Sequence, residues 1–438
     1  MADIAPFRAI RYNIDRDAVG PLLAPPYDVI DAQARAGLLA KQEHNCVRLI
    51  LPSGDGDAKY DNAAKLFDSW LADGVLIRDR EPALYRYHQS FRSAARGGAN
   101  VTRRGFIAAV RLHHFNEGVI LRHELTLKGP KLDRLKLMEA TRCHLSQIFA
   151  LYSDPSQQAD RAFQRHEKEL AVVDATTDDG THHTLWKVAD RETIGAVARV
   201  LAPQKLYIAD GHHRYETMLA LRNRMRERAG GKLDSDSTGE FGTMFLANMD
   251  DPGLLVLPTH RLVHSVANFD AAELVASLSH FFLIKVVADA DNPTAAHRLL
   301  AAARGGPSFA MMFPNSRDVH ILTLRANFEP ESVGLTKASV ISQLDVTVLH
   351  SVVLEHLLNI DKEAQEAKTH IFYYKDIEAA IAERERGQVL FLMNATPVEQ
   401  VRRVSDAGKV MPQKSTFFYP KIASGIVFNR IDPNESVS

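Results

Sequence analysis

A chain of 438 residues exceeds what one hydrophobic core sustains, since single cores rarely grow past roughly 250–300 residues, so two or three domains are expected. Hydrophobic residues at 45%, charged residues at 24% and a formal net charge of −1 describe a globular, enzyme-sized protein and argue against a dedicated nucleic-acid binder, which carries a basic excess. Two cysteines, Cys46 and Cys143, leave no disulfide framework and no thiolate metal cluster, and no stretch approaches 18 uninterrupted apolar residues. A cytoplasmic protein without membrane contact is expected.

In chain order the pattern is mixed α/β without internal repeats. The proline-punctuated segment Leu23-Ala24-Pro25-Pro26-Tyr27-Asp28 is extended, and Asp28 is expected to cap the helix that follows over 32–42 or to line a pocket. A strand is expected over 46–51 and a helix over 57–73, where Ala64, Leu66, Phe67, Trp70 and Leu71 fall at helical spacing. Strands over 83–90 and 102–112 are parted by a glycine-rich hairpin loop at 92–98, helices are expected over 131–143 and 156–174, and an acidic turn at 177–180 joins a further strand pair. An apolar strand, Leu206–Ala209, runs into Asp210-Gly211-His212-His213-Arg214, and an amphipathic helix follows to about 229, then a polar loop to 239. From Asn268 a second α/β unit reads as helix, strand 282–287, helix and strands 309–313 and 319–323. A helical region at 340–359, a strand at 389–393 and a block of strand formers over 411–429 complete the chain.

The turn at 210–214 carries the most chemistry. It places two imidazoles, a guanidinium and a carboxylate at a helix N-terminus, where backbone N–H groups and the macrodipole favour a bound anion. The plainer alternative is an ordinary capped turn with polar surface residues. Two other segments bear functional groups: Arg122-His123-Glu124-Leu125-Thr126, with Lys128, Lys131, Asp133 and Arg134 beyond, and Met411-Pro412-Gln413-Lys414-Ser415-Thr416-Phe417-Phe418-Tyr419-Pro420-Lys421. Either fits a solvated surface as well as a pocket. The vicinal pairs His113-His114, His182-His183 and His212-His213 argue against a zinc site, since strand neighbours face opposite ways, and no H-E-x-x-H, Walker or G-x-G-x-x-G motif occurs.

Four blocks, Pro25–Val29, Arg122–Thr126, Ile208–Tyr215 and Met411–Lys421, together resemble the bacterial family built around the domain of unknown function 1015, over nearly the whole chain. The central block is also similar to the D-G-x-H-R signature of the ParB/sulfiredoxin-like fold, in which free-serine kinases carry an upstream His-Glu pair. The resemblance implies an α/β (mixed α+β) protein whose ParB/sulfiredoxin-like catalytic core spans 101–267. An N-terminal segment over 1–100, an accessory α/β unit over 268–335 and a C-terminal segment over 336–438 completing the core surround it. It further implies a nucleotide-dependent kinase of a free small hydroxylated metabolite, with L-serine the expected acceptor, ATP or ADP the donor and Mg²⁺ the cofactor. Glu124 is the base in this reading, and Asp210 and His213 act at the phosphates, with Asp210 holding the metal. Gly211, His212, His213, Arg214, Lys414 and Lys421 bind the nucleotide phosphates, and His123, Thr126, Thr416 and Tyr419 contact the acceptor. The stretch between the two motifs is longer here than in those kinases. The expected partners are the nucleotide and the small-molecule acceptor, with a homodimer left open. A CTP- or ATP-binding regulatory module and a phosphohydrolase or nuclease of the same fold are the alternatives.

Overall fold

The computed structural model describes residues 1–126, 128–303, 305–336 and 339–437, with only the backbone at 128–130. The side chain of Lys128 therefore lies outside the described residues. The chain is a mixed α/β protein whose contacts divide into two units. The first comprises Met1–Arg122, Thr126–Leu255 and the stretch from Phe418 onward, and the second comprises His123–Leu125 and Val256–Phe417.

The first unit is organised on a nine-stranded mixed sheet. Its strands are β1 (Ile4–Ala5), β2 (Leu84–Ser93), β3 (Ala99–Arg111), β4 (Ile120–Leu121), β5 (Ile148–Tyr152), β6 (Val173–Thr176), β7 (His182–Val188), β8 (Leu206–Asp210) and β9 (Phe241–Asn248). They lie in the order β4-β8-β5-β9-β3-β2-β7-β6, with β1 paired to the end of β3. The β8–β4 and β9–β5 pairs are parallel and the others antiparallel. Alternation along the strands sends Phe106, Ala108 and Val110 of β3, Ile148 and Ala150 of β5 and Met244 and Leu246 of β9 to one face. There they pack against α1 (Lys128–Thr141), α2 (Arg191–Leu201) and α3 (His212–Arg228) through Leu135, Val197 and Met218 among others. The opposite face carries Phe149 and Phe245, and Phe418 meets Phe149 with ring centroids 5.7 Å apart. Every residue of β9 is buried, as expected of a strand covered on both faces.

The second unit holds an all-antiparallel six-stranded sheet of β10 (His260–Val263), β11 (Phe282–Val287), β12 (Ser308–Met312), β13 (Val319–Leu324), β14 (Ile371–Tyr374) and β15 (Val389–Met393), in the order β11-β13-β12-β15-β10-β14. Helices Pro293–Ala302 and Ile377–Ala382 cover one face around Ala310, Ile321 and Leu390. The helix, strand, helix, strand, strand order expected from 268 to 323 is the one observed.

Four local expectations are corrected. Residues 47–50 form a helical turn in place of a strand: the Asn45 side chain accepts from the Val47 amide at 2.9 Å and holds the carbonyls of Pro21 and Leu23 with its own amide, starting a turn that an apolar run alone does not reveal. The helix expected over 156–174 is the short Gln158–Phe163 plus a 3₁₀ turn, since residues 173–176 are drawn into the sheet as β6. Of residues 411–429 only Phe417–Tyr419 and Asn429 are strand, because Pro412, Pro420 and the positive φ of Gly425 interrupt the ladder. Helix Ala32–Lys41 is capped by Asp31, which accepts from the Ala34 amide at 2.8 Å, and Asp28 is exposed in the preceding turn.

Candidate functional site

The motif at the end of β8 is built by an irregularity in the ladder. Tyr207 pairs with Leu151 and Ile208 with Ala150, but Asp210 pairs with Phe149. The extra residue, Ala209, is a bulge that turns Asp210 away from the face of Ile208 and onto the face of Phe149. Gly211 then takes φ 93°, which L side chains seldom adopt, and a Cβ there would lie 3.0 Å from Nη2 of Arg214. Glycine is thus required twice, by its dihedral and by the guanidinium folded back over it. Helix α3 starts at the next residue, and Gly211 has no side chain with which to cap it.

The Arg214 guanidinium donates from Nη2 to Asp210 Oδ2 at 2.6 Å and from Nη1 to the Gln147 carbonyl at 2.5 Å. The other Asp210 oxygen, Oδ1, is ion-paired with the Lys421 ammonium. Burial raises the Asp210 carboxyl, but the Lys421 and Arg214 charges, the Lys421 hydrogen bond and the His212 ring outweigh it and hold the group well below the usual carboxylate range. Asp210 is therefore ionised. A third cation stands near: Arg103 of β3, fully buried, with its guanidinium 4.5 Å from the Phe149 ring centroid and 5.4 Å from that of Phe245. Phe245 reaches this position because residue 105 is glycine, where a Cβ would sit 2.4 Å from its ring. Three cations thus face one carboxylate at the N-terminal end of a 17-residue helix, an arrangement with surplus positive potential for an anion.

The turn has further walls in the first unit. Tyr27, from the Pro-Pro-Tyr-Asp block, lies under Arg134 with the guanidinium 4.3 Å from its ring centroid; burial raises its phenol and the Arg214 charge opposes this. A cavity of about 40 Å³ opens among Tyr27, Arg134, Ser146, Arg214 and Met218. His212 is buried, and His213 is half-buried with its carbonyl accepting from Thr217 Oγ1 at 2.8 Å. One turn along α3, Glu216 accepts from Arg122 Nη1 at 3.0 Å and from Thr126 Oγ1 at 2.9 Å and pairs with Lys131. A single carboxylate therefore ties down the residues on either side of His123-Glu124-Leu125.

The structure brings together five of the residues singled out in the sequence, Asp210, Gly211, His212, Arg214 and Lys421. Thr126 is instead engaged by Glu216, and Tyr419 packs edge-on against Phe91 with centroids 5.1 Å apart. His123, Glu124, Lys414 and Thr416 fall in the second unit. There the buried His123 bonds Thr416 Oγ1 through Nε2 at 2.9 Å, Glu124 bridges Met411 in parallel, and Lys414 is exposed at a turn with φ 59°. Arg103 was not apparent in the sequence, where it reads as one more polar residue of a strand; neither was Glu216, whose three partners are distant along the chain.

Among the described residues no group of three or more His, Cys, Asp or Glu side chains is placed to hold a metal ion, and no helix is long and apolar enough to cross a membrane. No curated protein matches the chain. Solved structures similar to it include a conserved hypothetical protein from Pyrococcus furiosus, at 14% identity over 73% of this chain and 92% of that one with a TM-score of 0.33. A variant of a free serine kinase in complex with AMP matches at 12% identity over 72% and 87% with a TM-score of 0.34. SbnI with a C-terminal truncation, from Staphylococcus aureus, matches at 11% over 73% and 85%, also at 0.34. The family model described as a protein of unknown function, DUF1015, matches residues 4–347, and the chain belongs to that family.

Proposed function

We propose that the chain is a nucleotide-dependent phosphotransferase that acts on a free small hydroxylated metabolite, with L-serine as the acceptor and O-phosphoserine as the product. The observation that carries this reading is the surplus of positive charge around Asp210 at the start of α3: Arg214, Lys421 and Arg103 against one carboxylate. Phosphoryl transfer asks a protein chiefly for positioning and charge stabilisation, which such a turn supplies. In this reading backbone N–H groups at Gly211–His213 cradle the nucleotide phosphates, Arg214 and Lys421 share their charge between Asp210 and the phosphates, and His213 adds a donor at the rim. Glu124 takes the proton of the acceptor hydroxyl. Both oxygens of Asp210 are engaged by cations, and among the described residues no group of three or more His, Cys, Asp or Glu side chains is placed to hold a metal ion, so the residues around Asp210 do not form an inner-sphere magnesium site.

The deciding experiment incubates the purified protein with ATP or ADP, Mg²⁺ and a panel of amino acids and reads the products by mass spectrometry. O-phosphoserine is the expected product. Nucleotide consumption with release of free phosphate and no phosphorylated acceptor would make the protein a phosphohydrolase instead.

The anion cradle has its own test. His213→Ala and Arg214→Ala are each expected to weaken ADP binding by about 1–3 kcal/mol, the range for charge-assisted hydrogen bonds, as measured by titration calorimetry on variants whose circular dichroism matches the parent protein. Unchanged affinity in both would reduce the segment to a capped surface turn.

A further inference from the structure

Arg103 is hard to account for by stability alone. Its side chain is fully buried in the first unit, and among the described residues its Nε and Nη1 have no hydrogen-bond partner and no carboxylate is ion-paired with it. Burial pushes the guanidinium down to about 9, with the fields of Tyr87 and Asp210 opposing, so it is charged at neutral pH. An apolar residue of the same volume would avoid the desolvation of an unpaired cation. Two aromatic rings offset part of that cost.

What Arg103 does hold is Gln89, its cross-strand neighbour on β2. Nη2 of Arg103 donates to Gln89 Oε1, which fixes the orientation of the amide, and Gln89 Nε2 donates to the carbonyl of Lys421 at 3.0 Å. Lys421 in turn is paired through Nζ with Asp210. A continuous path therefore runs from a buried cation in mid-sheet, through one amide, to the backbone of the lysine that meets Asp210. The second unit contains a similar element: Arg261, also buried, donates Nη2 to the carbonyl of Lys414 at 3.0 Å.

We infer that Arg103 and Gln89 are positioning residues which fix the backbone at Lys421 and so set its ammonium against Asp210 at the start of α3. Neither touches a ligand. Arg103 orients Gln89, Gln89 holds the Lys421 carbonyl, and the charged end of Lys421 is thereby kept in the turn instead of swinging to solvent. The part of this inference that concerns nucleotide affinity rests on the proposed phosphotransferase reading; the part that concerns Lys421 does not.

The test uses Arg103→Met, Arg103→Lys and Gln89→Leu in the full chain, with two readouts. The first is acetylation of Lys421 by an amine-reactive ester, followed by mass spectrometry of its peptide against the exposed Lys414 as internal standard. Arg103→Met and Gln89→Leu are expected to raise the relative labelling rate of Lys421 by about tenfold, and Arg103→Lys, which keeps a cation and a donor for Gln89, to restore most of the protection. A purely structural Arg103 predicts a lower melting temperature, with the ion-paired Lys59 of the same unit labelled faster together with Lys421. A positioning role predicts a melting temperature of Arg103→Met equal to or above that of the parent, with Lys421 alone exposed. The second readout is the dissociation constant of ADP, expected to rise about tenfold in Arg103→Met. Unchanged Lys421 labelling in Arg103→Met and Gln89→Leu overturns the inference whatever the ligand. If the parent protein fails to bind ADP at all, the nucleotide reading falls, and the labelling result alone decides the role of Arg103.

Discussion

Asp210→Asn is expected to lower the stability of the protein by about 3–5 kcal/mol, because it leaves Arg214 and Lys421 facing each other, with Arg103 behind them, and no negative charge among them. The Asp210 side chain is 12% exposed and that of Lys421 16%, so water screens the cluster in part and the loss lies towards the lower end of that range. For a unit of this size the melting temperature should fall on the order of 10 °C, read by thermal unfolding at neutral pH. The pH dependence gives a second check. A carboxyl held below its ordinary range binds its proton more readily in the unfolded chain, so its stabilising contribution is present above the unfolded value of about 3.9 and is lost as pH falls through the depressed folded value. The gap between parent and Asp210→Asn should be constant above about pH 5 and close only in strong acid. A variant as stable as the parent at neutral pH would mean that the three cations do not depend on this carboxylate.

Glu124→Gln separates a catalyst from a binding module. Glutamine keeps the size and most of the hydrogen bonding of glutamate but cannot take up a proton, so a general-base role predicts a loss of turnover of about 10²–10⁴-fold in O-phosphoserine formation. Nucleotide affinity should stay near that of the parent, since in the proposed reading Glu124 acts on the acceptor hydroxyl and not on the phosphates. Turnover equal to the parent would remove the base role from Glu124 and leave Asp28 as the candidate, since both oxygens of Asp210 are held by cations. Loss of nucleotide binding in a folded variant would instead give Glu124 a part in holding the nucleotide or the fold.

The strand, turn and helix from Leu206 to Arg228 were legible because each signal there is local: an apolar run, a glycine where the chain needs a positive φ, and 17 residues without glycine or proline; the amphipathic face expected of that helix is not observed, since polar and apolar side chains alike are buried along it. The alternation of helix and strand from 268 to 323 was legible for the same reason. Residues 47–50 were misread because a short apolar run has the same appearance in a buried strand and a buried helical turn, and the Asn45 side chain that decides between them bonds carbonyls more than 20 residues upstream. At the site, the identities of Asp210, Arg214 and Lys421 could be read from the sequence, but their mutual ion pairing could not, since 211 residues separate Asp210 from Lys421. Arg103 was invisible for a different reason. Polar alternation in a strand ordinarily marks a solvated face, and only the covering of both faces of this sheet by the first unit turns that face inward. Of the three vicinal histidine pairs only His182-His183 lies in a strand and behaves as strand geometry requires: His183 is buried against Tyr87, with Tyr87 Oη to Nδ1 at 2.6 Å, while His182 lies on the other face beside Asp174; His212-His213 open a helix and His113-His114 follow a strand end, so the strand argument does not apply to them.

The bulge at Ala209 has a consequence for how this segment can vary over time. With Ile208 in register on β5 and Asp210 one residue late, the direction in which the carboxylate points is set by the bulge, because in a regular ladder residues two apart share a face and Asp210 would follow Ile208. Exchanging Ala209 for another small residue leaves the bulge in place, and deleting Ala209 would put Asp210 opposite Phe149 in a regular ladder, on the face it already occupies; what would carry Asp210 to the apolar face of Ile208 and Met244 is straightening the ladder at full length. In this stretch the property under constraint is the irregularity of the ladder, which a substitution favouring a straight strand would remove and the loss of one residue would not.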